Sequence, residues 1–402
     1  MPEDKSRLGL EVLGYPDKLF GLPIEKMRHG YYSDKYFQRT KGILERDGYH
    51  PNVLMQVFCK KEGMLGGIDS AIAVLKACAG RYEDSHGNVV PLEERLEDQE
   101  GRWVNKYSEL EVKALYDGDN ISPKITPGGI KYETVMTIKG DYSLFAHLET
   151  VYLGLLARGT KIASNVDKVV KAASDIPVLF FPARFDHPAV QTADGYAARI
   201  AGSLGVSTDA QAAWWGGEGI GTVPHGLIAA YGGNTALATL KFAEMVDPSV
   251  DVIPLVDYEN DSVKTSLDVA KAMDSHGMLD RLWGIRLDTA ESMVDVSLHD
   301  SLGQYKATGV NIPLVFKVRE ALDAAGYDSV RVVVSGGFDE GKIASFDISG
   351  APVGAYGVGS SLFKGSYDFT ADVVQLENDG VMEHQAKVGR RLIDNPRLEV
   401  AV

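Results

Sequence analysis

Glycine recurs at the ends of two strand-like segments near the carboxyl end of the chain. The segments VRVVVSGG (330–337) and PVGAYGVG (352–359) are apolar and then give way to small residues. Glycines at a strand end let backbone N–H groups approach an anion, and a following helix adds the positive end of its dipole. Either segment alone is typical of a tight turn, but two in tandem, if they are the last two strands of a barrel, predict a phosphate site. The candidate residues are Gly336, Gly337, Gly357, Gly359 and Ser360.

Two charged residues alternate with apolar ones in the segment GIRLD. Arg286 and Asp288 are two positions apart, so on a strand their side chains share one face, which points inward in a barrel. A buried ion pair is costly, and the structural alternative is an internal salt bridge. The functional interpretation has Asp288 facing ribose hydroxyls or a metal shell, and Arg286 facing a ligand anion.

Two further strand ends carry side chains that suit recognition or catalysis. Phe181 and Arg184 follow one another at a spacing that suits a flat aromatic acid, whose ring stacks and whose carboxylate takes a bidentate contact, although Phe181 also suits a core position. His225 follows the residues Gly-Thr-Val-Pro, and Asp257 ends the run DVIPLVD. If those two strands are neighbours, Asp257 orients the imidazole of His225.

Strand-like and helical segments alternate through most of the chain, and this alternation positions the candidate residues. Seven apolar runs are each followed by a helical segment: 178–181, 205–207, 221–225, 251–257, 281–288, 330–337 and 352–359. Such alternation indicates parallel βα units, and the number and spacing of the runs favour a barrel over an open sheet. The α/β barrel domain is predicted to span 143–364.

The amino-terminal third of the chain has a different pattern. Its β-branched and aromatic content predicts strands at 53–59 and 132–140, and a helix is predicted at 64–79. The acidic stretch 81–103 is predicted to be an exposed excursion. Because a strand-like sequence pattern returns after Tyr367, we expect residues 365–402 to join residues 1–142 in a smaller α/β domain.

The composition argues against several classes of partner. The 402 residues include 41 Lys+Arg and 56 Asp+Glu, a formal charge of −15 that repels nucleic acid and anionic lipid. Cys59 and Cys78 allow neither a disulfide framework nor a four-cysteine zinc site, and two free thiols suit a reducing cytosol. We expect no signal peptide in segment 1–14 and no membrane span, so the expected location is the cytoplasm.

Seven segments, in order, resemble the nicotinate phosphoribosyltransferases of the type II phosphoribosyltransferase family, in their archaeal-type branch. They are YYSDKYFQRTKGIL (31–44), HLETVYLGLLARGTKIASN (147–165), FPARFDHP (181–188), GTVPHGLI (221–228), GIRLDT (284–289), VVSGGFD (333–339) and YGVGSSL (356–362). The resemblance implies an irregular βα barrel with a smaller α/β sandwich domain built from both chain ends, in a homodimer or higher oligomer with shared active sites. It implies conversion of nicotinate and phosphoribosyl pyrophosphate to nicotinate mononucleotide and pyrophosphate, coupled to ATP hydrolysis, in NAD salvage.

The resemblance also implies which residues bind nicotinate. The partner subunit's Tyr36 is expected to stack on the pyridine ring against Phe181. Arg184 is expected to contact the carboxylate of the ring, and Ser207 and Thr208 are expected to help hold that group.

At the reacting end, the resemblance implies a phosphohistidine. His225 matches the histidine that is transiently phosphorylated, and Asp257 matches the acid that orients it. Arg286 and Asp288 match the phosphoribosyl contacts, the two glycine segments match the 5′-phosphate cradle, and Arg39 matches a diphosphate contact across the dimer.

The implied cofactors are Mg²⁺ and ATP, the second as a co-substrate. Mg²⁺ neutralises a pyrophosphate leaving group, and we expect no direct metal ligand from the protein. Some archaeal-type relatives carry a cysteine-rich metal module near the carboxyl terminus. No cysteine follows Cys78 in this chain, so no structural zinc is expected.

Other functions fit parts of the pattern. Quinolinate phosphoribosyltransferase shares the fold class but would want a denser basic cluster around the ring than Arg184 alone. Specificity for nicotinamide would be favoured by an acidic group near the ring, such as Asp209. A non-catalytic homologue that senses nucleotide or phosphoribosyl pyrophosphate would suit a chain lacking His225 or Asp288, and both are present. A barrel isomerase or aldolase explains the phosphate loops but leaves Tyr36, Arg184 and His225 without roles.

Overall fold

The structure of the chain is a computed structural model that describes residues 21–125, 129 and 131–401. The expectation about segment 1–14 lies outside these residues. Among the helices of the described segments, none combines the length and the apolar content that a lipid bilayer requires.

The chain forms two compact units. Within the described residues, the first unit takes in residues up to Ser164, the segment Thr192–Ala201 and everything from Gly365 onward. The second unit takes in Asn165–Gln191 and Gly202–Lys364. Part of the segment that the sequence analysis assigns to the barrel domain therefore groups with the first unit.

Within the described residues, the secondary structure begins with two helices, continues with a strand-rich region to Asp141 and then mixes helices and strands. The strands are β1 (Asn52–Cys59), β2 (Gly63–Met64), β3 (Gly80–Glu83), β4 (Val89–Val90), β5 (Arg102–Asn105), β6 (Glu111–Ala114), β7 (Asn120–Ile121), β8 (Lys124–Ile125), β9 (Lys131–Asp141), β10 (Val178–Phe180), β11 (Gly205–Val206), β12 (Gly284–Leu287), β13 (Arg331–Val334), β14 (Ala355–Val358), β15 (Phe369–Asn378), β16 (Val381–His384) and β17 (Glu399–Val400). The helices are α1 (Ile24–Arg28), α2 (Lys35–Asp47), α3 (Ile68–Cys78), α4 (Glu149–Ala172), α5 (Gln191–Ile200), α6 (Asp209–Ala212), α7 (His225–Ala230), α8 (Thr235–Met245), α9 (Ser262–Ser275), α10 (Ile312–Ala324) and α11 (Glu340–Ile348).

The first unit is built on an antiparallel sheet in the order β16-β15-β1-β9-β6-β17, with β8 paired to the end of β9. The tail strand β15 pairs with β1 along its length, from Val53 opposite Leu376 to Cys59 opposite Phe369. The apolar helix α3 belongs to the same buried core as the sheet, so that Ile72 and Leu75 are fully buried.

The stretch 81–103 is exposed in its charged middle, as the sequence analysis predicts, and it also contains regular strands. Strands β3, β4 and β5 form a small antiparallel sheet of their own, with β3 in the middle. Tyr82 is buried on β3, and its ring meets that of Trp103 edge to face, with centroids 5.1 Å apart. This aromatic pair anchors the two ends of a segment whose charged middle is exposed, and the acidic composition gave no sign of these anchored ends.

The second unit is built on a parallel sheet in the order β11-β10-β14-β13-β12. Two of the seven predicted runs form no regular strand among the described residues and join the sheet through isolated bridges, Leu255 to Arg286 and Val223 to Pro254. Proline has no N–H to donate, so Pro254 and Pro224 interrupt the ladder at these two runs. On the opposite edge, the N–H of Ile220 donates to the carbonyl of Val206. The α/β fold class is confirmed, although no closed ladder of regular strands forms in the described part of the chain.

The parallel strands direct their carboxyl ends to one edge of the second unit. Buried Leu179, Ile253, Val333 and Ala355 form a cluster between them. The residues that follow the strands therefore meet at the end of this cluster, as is usual for parallel βα units.

Candidate functional site

A cavity of about 860 Å³ opens at the carboxyl ends of the parallel strands. Its lining lies within the second unit and includes these predicted residues: Phe181, Arg184, Ser207, Thr208, His225, Arg286, Asp288, Gly336, Gly337, Gly357, Gly359 and Ser360. These residues are spread along the chain from Phe181 to Ser360, and the parallel sheet brings them together.

His225 and Asp257 form a hydrogen-bonded pair at this cavity. His225 begins helix α7 directly after Pro224, and its Nε2 lies 2.9 Å from Oδ1 of Asp257. The carboxylate is 8% exposed and the imidazole 42%. Burial raises the pKa of Asp257 above its ordinary value, and the contact with His225 opposes that rise. With Nε2–H donated to a carboxylate, Nδ1 carries the lone pair, which suits the ring to act as a base or a nucleophile.

Arg286 and Asp288 lie on the inner face of β12 and at its end, as period two requires. Nη2 of Arg286 is 3.8 Å from Oδ1 of Asp288, too far for a direct hydrogen bond. Arg286 instead donates from Nε to Oγ of Ser335 at 2.8 Å and from Nη1 to Oγ1 of Thr222 at 3.2 Å. Burial lowers the pKa of Arg286 from its ordinary value. The pair is thus an open arrangement of two charges in the cavity wall rather than a closed salt bridge.

The glycine turn after β13 has the backbone that an anion site needs. Gly336 and Gly337 have φ of +86° and +67°, which favours glycine over other residues. Within the described residues their N–H groups donate to no other group. Asp339 then caps helix α11, its carboxylate accepting from the N–H of Lys342. The turn therefore offers free donors beside the start of a helix.

The carboxyl end of β14 is shaped by ring packing. A Cβ placed on Gly357 would lie 2.9 Å from two ring carbons of Phe181, so no larger residue fits there while the ring stays in place. The same ring has the guanidinium carbon of Arg286 over its face, 5.1 Å from the centroid. Phe181 thus contacts both a glycine of β14 and a cation.

Arg184, Ser207 and Thr208 lie at the other side of the cavity lining. Arg184 is exposed in a short turn, with its guanidinium carbon 5.1 Å from the ring centroid of Phe185. The hydroxyl of Ser207 donates to Oε1 of Gln211 at 3.1 Å, and that of Thr208 donates to Oε1 of Gln191 at 2.9 Å. Both hydroxyl protons are therefore used within the chain, and Arg184 is the group of this set whose donors face solvent.

Tyr36 and Arg39 belong to helix α2 of the first unit. The Tyr36 ring is 61% exposed, and its hydroxyl donates to Oδ2 of Asp34 at 3.4 Å. Arg39 pairs with Glu94 through Nε at 3.1 Å. Their expected part in the site, supplied by a second copy of the chain, stays a prediction.

Several lining residues are absent from the predicted set of site residues: Thr222, Glu291, Ser335, Ser361 and Lys364. Ser335 directly follows the apolar run of β13, and Thr222 is three residues before His225. Both therefore carry the strand-end signal that identified the other candidates, but serine and threonine are common in turns and carry no charge. The described residues contain no group of three or more His, Cys, Asp and Glu side chains arranged to hold a metal ion.

Comparison of the sequence with those of known proteins finds similarity to nicotinate phosphoribosyltransferases. A nicotinate phosphoribosyltransferase of Mycobacterium tuberculosis is 32% identical over 256 residues, which cover 61% of this chain and 51% of that protein. A nicotinate phosphoribosyltransferase of Bacillus subtilis is 25% identical over 262 residues, covering 64% and 49%. The chain thus spans about half the length of the curated relatives it matches. No model of a known protein family matches the chain.

The solved structures agree at the level of fold. A nicotinate-nucleotide pyrophosphorylase from Pyrococcus furiosus superposes with a TM-score of 0.70 at 28% identity, covering 94% of this chain and 84% of that one. The chain is therefore similar in sequence to nicotinate phosphoribosyltransferases and in fold to a nicotinate-nucleotide pyrophosphorylase. Human nicotinic acid phosphoribosyltransferase shares the fold at 16% identity, with a TM-score of 0.57 and coverage of 89% and 76%. The resemblance predicted from seven sequence segments is therefore confirmed.

Proposed function

We propose that the chain transfers the phosphoribosyl group of phosphoribosyl pyrophosphate to nicotinate, forming nicotinate mononucleotide and pyrophosphate in NAD salvage. The observation that carries the proposal is the cavity that combines the His225–Asp257 pair, the open Arg286–Asp288 arrangement and the Gly336–Gly337 turn. Each of these features has a use in this reaction, and the named relatives of the chain support the choice of nicotinate.

We assign the ribosyl phosphate to the space between the glycine turn after β13 and the end of β12. Free N–H groups at Gly336 and Gly337 suit the 5′-phosphate, and Asp288 suits the ribose hydroxyls, since a carboxylate accepts two hydrogen bonds from a diol. Arg286 stays available to an anionic group because no carboxylate closes on it. Holding the sugar at several points lowers the barrier by fixing C1 opposite the incoming ring nitrogen.

Arg184 is the residue we assign to the nicotinate carboxylate. Its donors face solvent at the cavity, and guanidinium forms bidentate contacts with a carboxylate. In the described lining the basic side chains are Arg184, His225, Arg286 and Lys364, a set that suits an acid with one carboxylate better than a diacid. Asp209, the candidate for amide recognition, accepts from the N–H of Gly219 at 2.8 Å and so already has a structural partner.

Mg²⁺ fits the donor set as an ion held mainly by the diphosphate of the substrate. Asp288 is 27% exposed and lines the cavity, so it offers oxygen to an ion or to the waters around it. Mg²⁺ usually keeps several waters and one or two carboxylates beside substrate phosphates, and when bound it neutralises a leaving diphosphate.

The role that we assign to His225 is acceptance of a phosphoryl group from ATP. A bond forms between Nδ1 and the γ-phosphorus while the bond from that phosphorus to the bridging oxygen breaks, so that ADP leaves. Water later takes the phosphoryl group and restores the imidazole. Asp257 keeps the proton on Nε2, which leaves the Nδ1 lone pair for the attack. The added charge of about −2 would then reorganise the cavity, which is how ATP hydrolysis would drive the transfer.

The site is proposed to be complete only in a homodimer or higher oligomer, in the cytoplasm. In that arrangement a second copy supplies its Tyr36 to the pyridine ring and its Arg39 to the diphosphate. The exposed ring of Tyr36 suits such a role.

A product assay tests the proposal. Phosphoribosyl pyrophosphate and Mg²⁺ are supplied with nicotinate, nicotinamide or quinolinate in turn, each with and without ATP. We expect mononucleotide from nicotinate alone, formed faster with ATP. Product from one of the other bases would contradict the assigned substrate while keeping the reaction class, and absence of product with all three would contradict the transferase itself.

A further inference from the structure

Ser335 lies between Arg286 of β12 and Asp288, which directly follows that strand, and contacts both. It follows the last residue of β13 and is 2% exposed. Its Oγ accepts from Nε of Arg286 at 2.8 Å, and its one proton can be donated to Oδ1 of Asp288 at 2.6 Å, the shorter contact, or to the carbonyl of Leu287 at 3.1 Å. One hydroxyl thereby connects a guanidinium and a carboxylate that lie 3.8 Å apart.

This arrangement is unusual for oppositely charged neighbours at a half-buried site. Arginine and carboxylate ordinarily close into a bidentate pair, because two parallel hydrogen bonds between charged groups are stronger than bonds to neutral partners. Here Arg286 is held by neutral groups instead: the hydroxyls of Ser335 and Thr222, and the ring of Phe181. The serine hydroxyl occupies the position through which the pair would otherwise close.

The consequence is that both charges keep hydrogen-bonding capacity toward the cavity. Arg286 uses one donor at Nε and one at Nη1, and Asp288 uses one lone pair on Oδ1. The remaining donors and the second carboxylate oxygen stay available to a ligand. A closed pair would spend them on each other.

We infer that Ser335 is a positioning residue that prevents Arg286 and Asp288 from pairing, and so keeps both available to a ribosyl phosphate. The inference rests on the proposed function in its choice of ligand. It does not depend on which base is transferred or on ATP.

The test is a double-mutant cycle that measures binding of ribose 5-phosphate by calorimetry. Ser335→Ala should weaken binding at least tenfold, because Arg286 then closes on Asp288. With Asp288→Asn already in place there is no carboxylate to close on, so adding Ser335→Ala should change the dissociation constant less than about threefold. A residue with a purely structural role would weaken binding by the same factor in both backgrounds, and that result would overturn the inference.

Two further variants serve as controls for this experiment. Ser345→Ala is the matched control, since its hydroxyl donates to the carbonyl of Gly341 at 2.9 Å outside the cavity lining, and it should bind as the parent does. Ser335→Cys keeps the side-chain size with a weak hydrogen-bonding thiol, so it should show the loss even if the alanine variant does not fold. Parent-like binding by the cysteine variant would also overturn the inference.

Failure of the inference is separable from failure of the proposed function. If the parent binds ribose 5-phosphate and the cycle is non-additive, the role of Ser335 is supported even when nicotinate gives no product. If nicotinate gives mononucleotide but the cycle is additive, the transferase is supported and the role of Ser335 is lost.

Discussion

Nε2 of His225 lies 2.9 Å from Oδ1 of Asp257, although 32 residues separate them in the chain. The contact follows from the strand pairing. Val223 forms a parallel bridge with Pro254, and His225 and Asp257 lie just beyond these two residues along the chain. The carboxylate is buried and the imidazole faces the cavity. This orientation fixes which ring nitrogen is available for chemistry.

Replacement of His225 should separate ATP coupling from transfer. His225→Ala should abolish stimulation by ATP and leave a slower, ATP-independent formation of mononucleotide, because the nucleophile for the γ-phosphoryl group is lost while the ribosyl contacts remain. The measurement is the initial rate with and without ATP. Stimulation by ATP equal to that of the parent would contradict a phosphohistidine at this position.

Asp257→Asn provides the graded comparison for that experiment. The amide has the shape of the carboxylate but does not hold the imidazole tautomer with a charge, so ATP stimulation should fall at least tenfold without vanishing. Asp274→Asn, on an exposed part of helix α9, is the control and should behave as the parent does.

The sequence alone predicts that His225 and Asp257 are candidates for the same site. Parallel strands direct their carboxyl ends to one edge, so residues after each apolar run were candidates for one site, and the structure brings His225, Arg286 and the glycine turns to one cavity. The hydroxyl of Ser335 was not accessible in the same way. Its role depends on a separation of 3.8 Å between two charges, and no sequence pattern encodes such a distance.

The irregular parts of the fold were the hardest to predict. Pro224 and Pro254 fall inside runs whose apolar content is otherwise typical of strands, and the missing N–H groups reduce those runs to single bridges. In the stretch 81–103, the buried contact of Tyr82 with Trp103 outweighs a charged composition. Tertiary contact decided both cases, and local composition alone does not reveal it.

Arg184 should affect one substrate far more than the other. Arg184→Ala should raise KM for nicotinate at least tenfold and KM for phosphoribosyl pyrophosphate less than about threefold, since the bidentate contact involves the ring carboxylate alone. Arg184→Lys should be intermediate because it keeps the charge without the planar pair of donors. Equal changes in the two KM values would remove Arg184 from the ring pocket.

The stability of the fold should depend on pH through Glu149. Burial, with Asp372 and Asp34 nearby, raises the pKa of Glu149 from 4.5 to about 8. A carboxyl whose folded pKa is raised stabilises the fold while protonated, and this contribution is lost as pH rises from about 4.5 through about 8. Glu149→Gln should therefore melt at a temperature close to the parent at pH 5 and higher than the parent at pH 9.

Thermal unfolding across this pH range checks the prediction for Glu149. The control is Glu320→Gln on helix α10, an exposed carboxylate that makes no ion pair in the described part of the chain, and its difference from the parent should not change with pH. A melting difference for Glu149→Gln that stayed constant from pH 5 to pH 9 would show that the carboxyl titrates normally.

The glycine turn after β13 should be sensitive to a single methyl group. Gly337 has φ of +67°, and a Cβ there would lie 1.9 Å from Oε1 of Glu291, so Gly337→Ala strains the backbone and displaces the neighbouring carboxylate at once. Gly326→Ala is the matched control, because Gly326 has φ of +84° with nothing within 4 Å of its Cβ position. Gly326→Ala should lose about 1 kcal/mol of unfolding free energy from the left-handed backbone, and Gly337→Ala should lose at least as much.

The two glycine variants should then differ in ligand binding. Gly337→Ala should raise KM for phosphoribosyl pyrophosphate at least tenfold, because the turn whose N–H groups would hold the phosphate is distorted and the side chain beside it is moved. Gly326→Ala, which shares the left-handed backbone strain, should leave that KM unchanged. Equal KM values in the two variants would contradict a phosphate site at the Gly336–Gly337 turn. The 5′-phosphate would then have to bind elsewhere in the cavity.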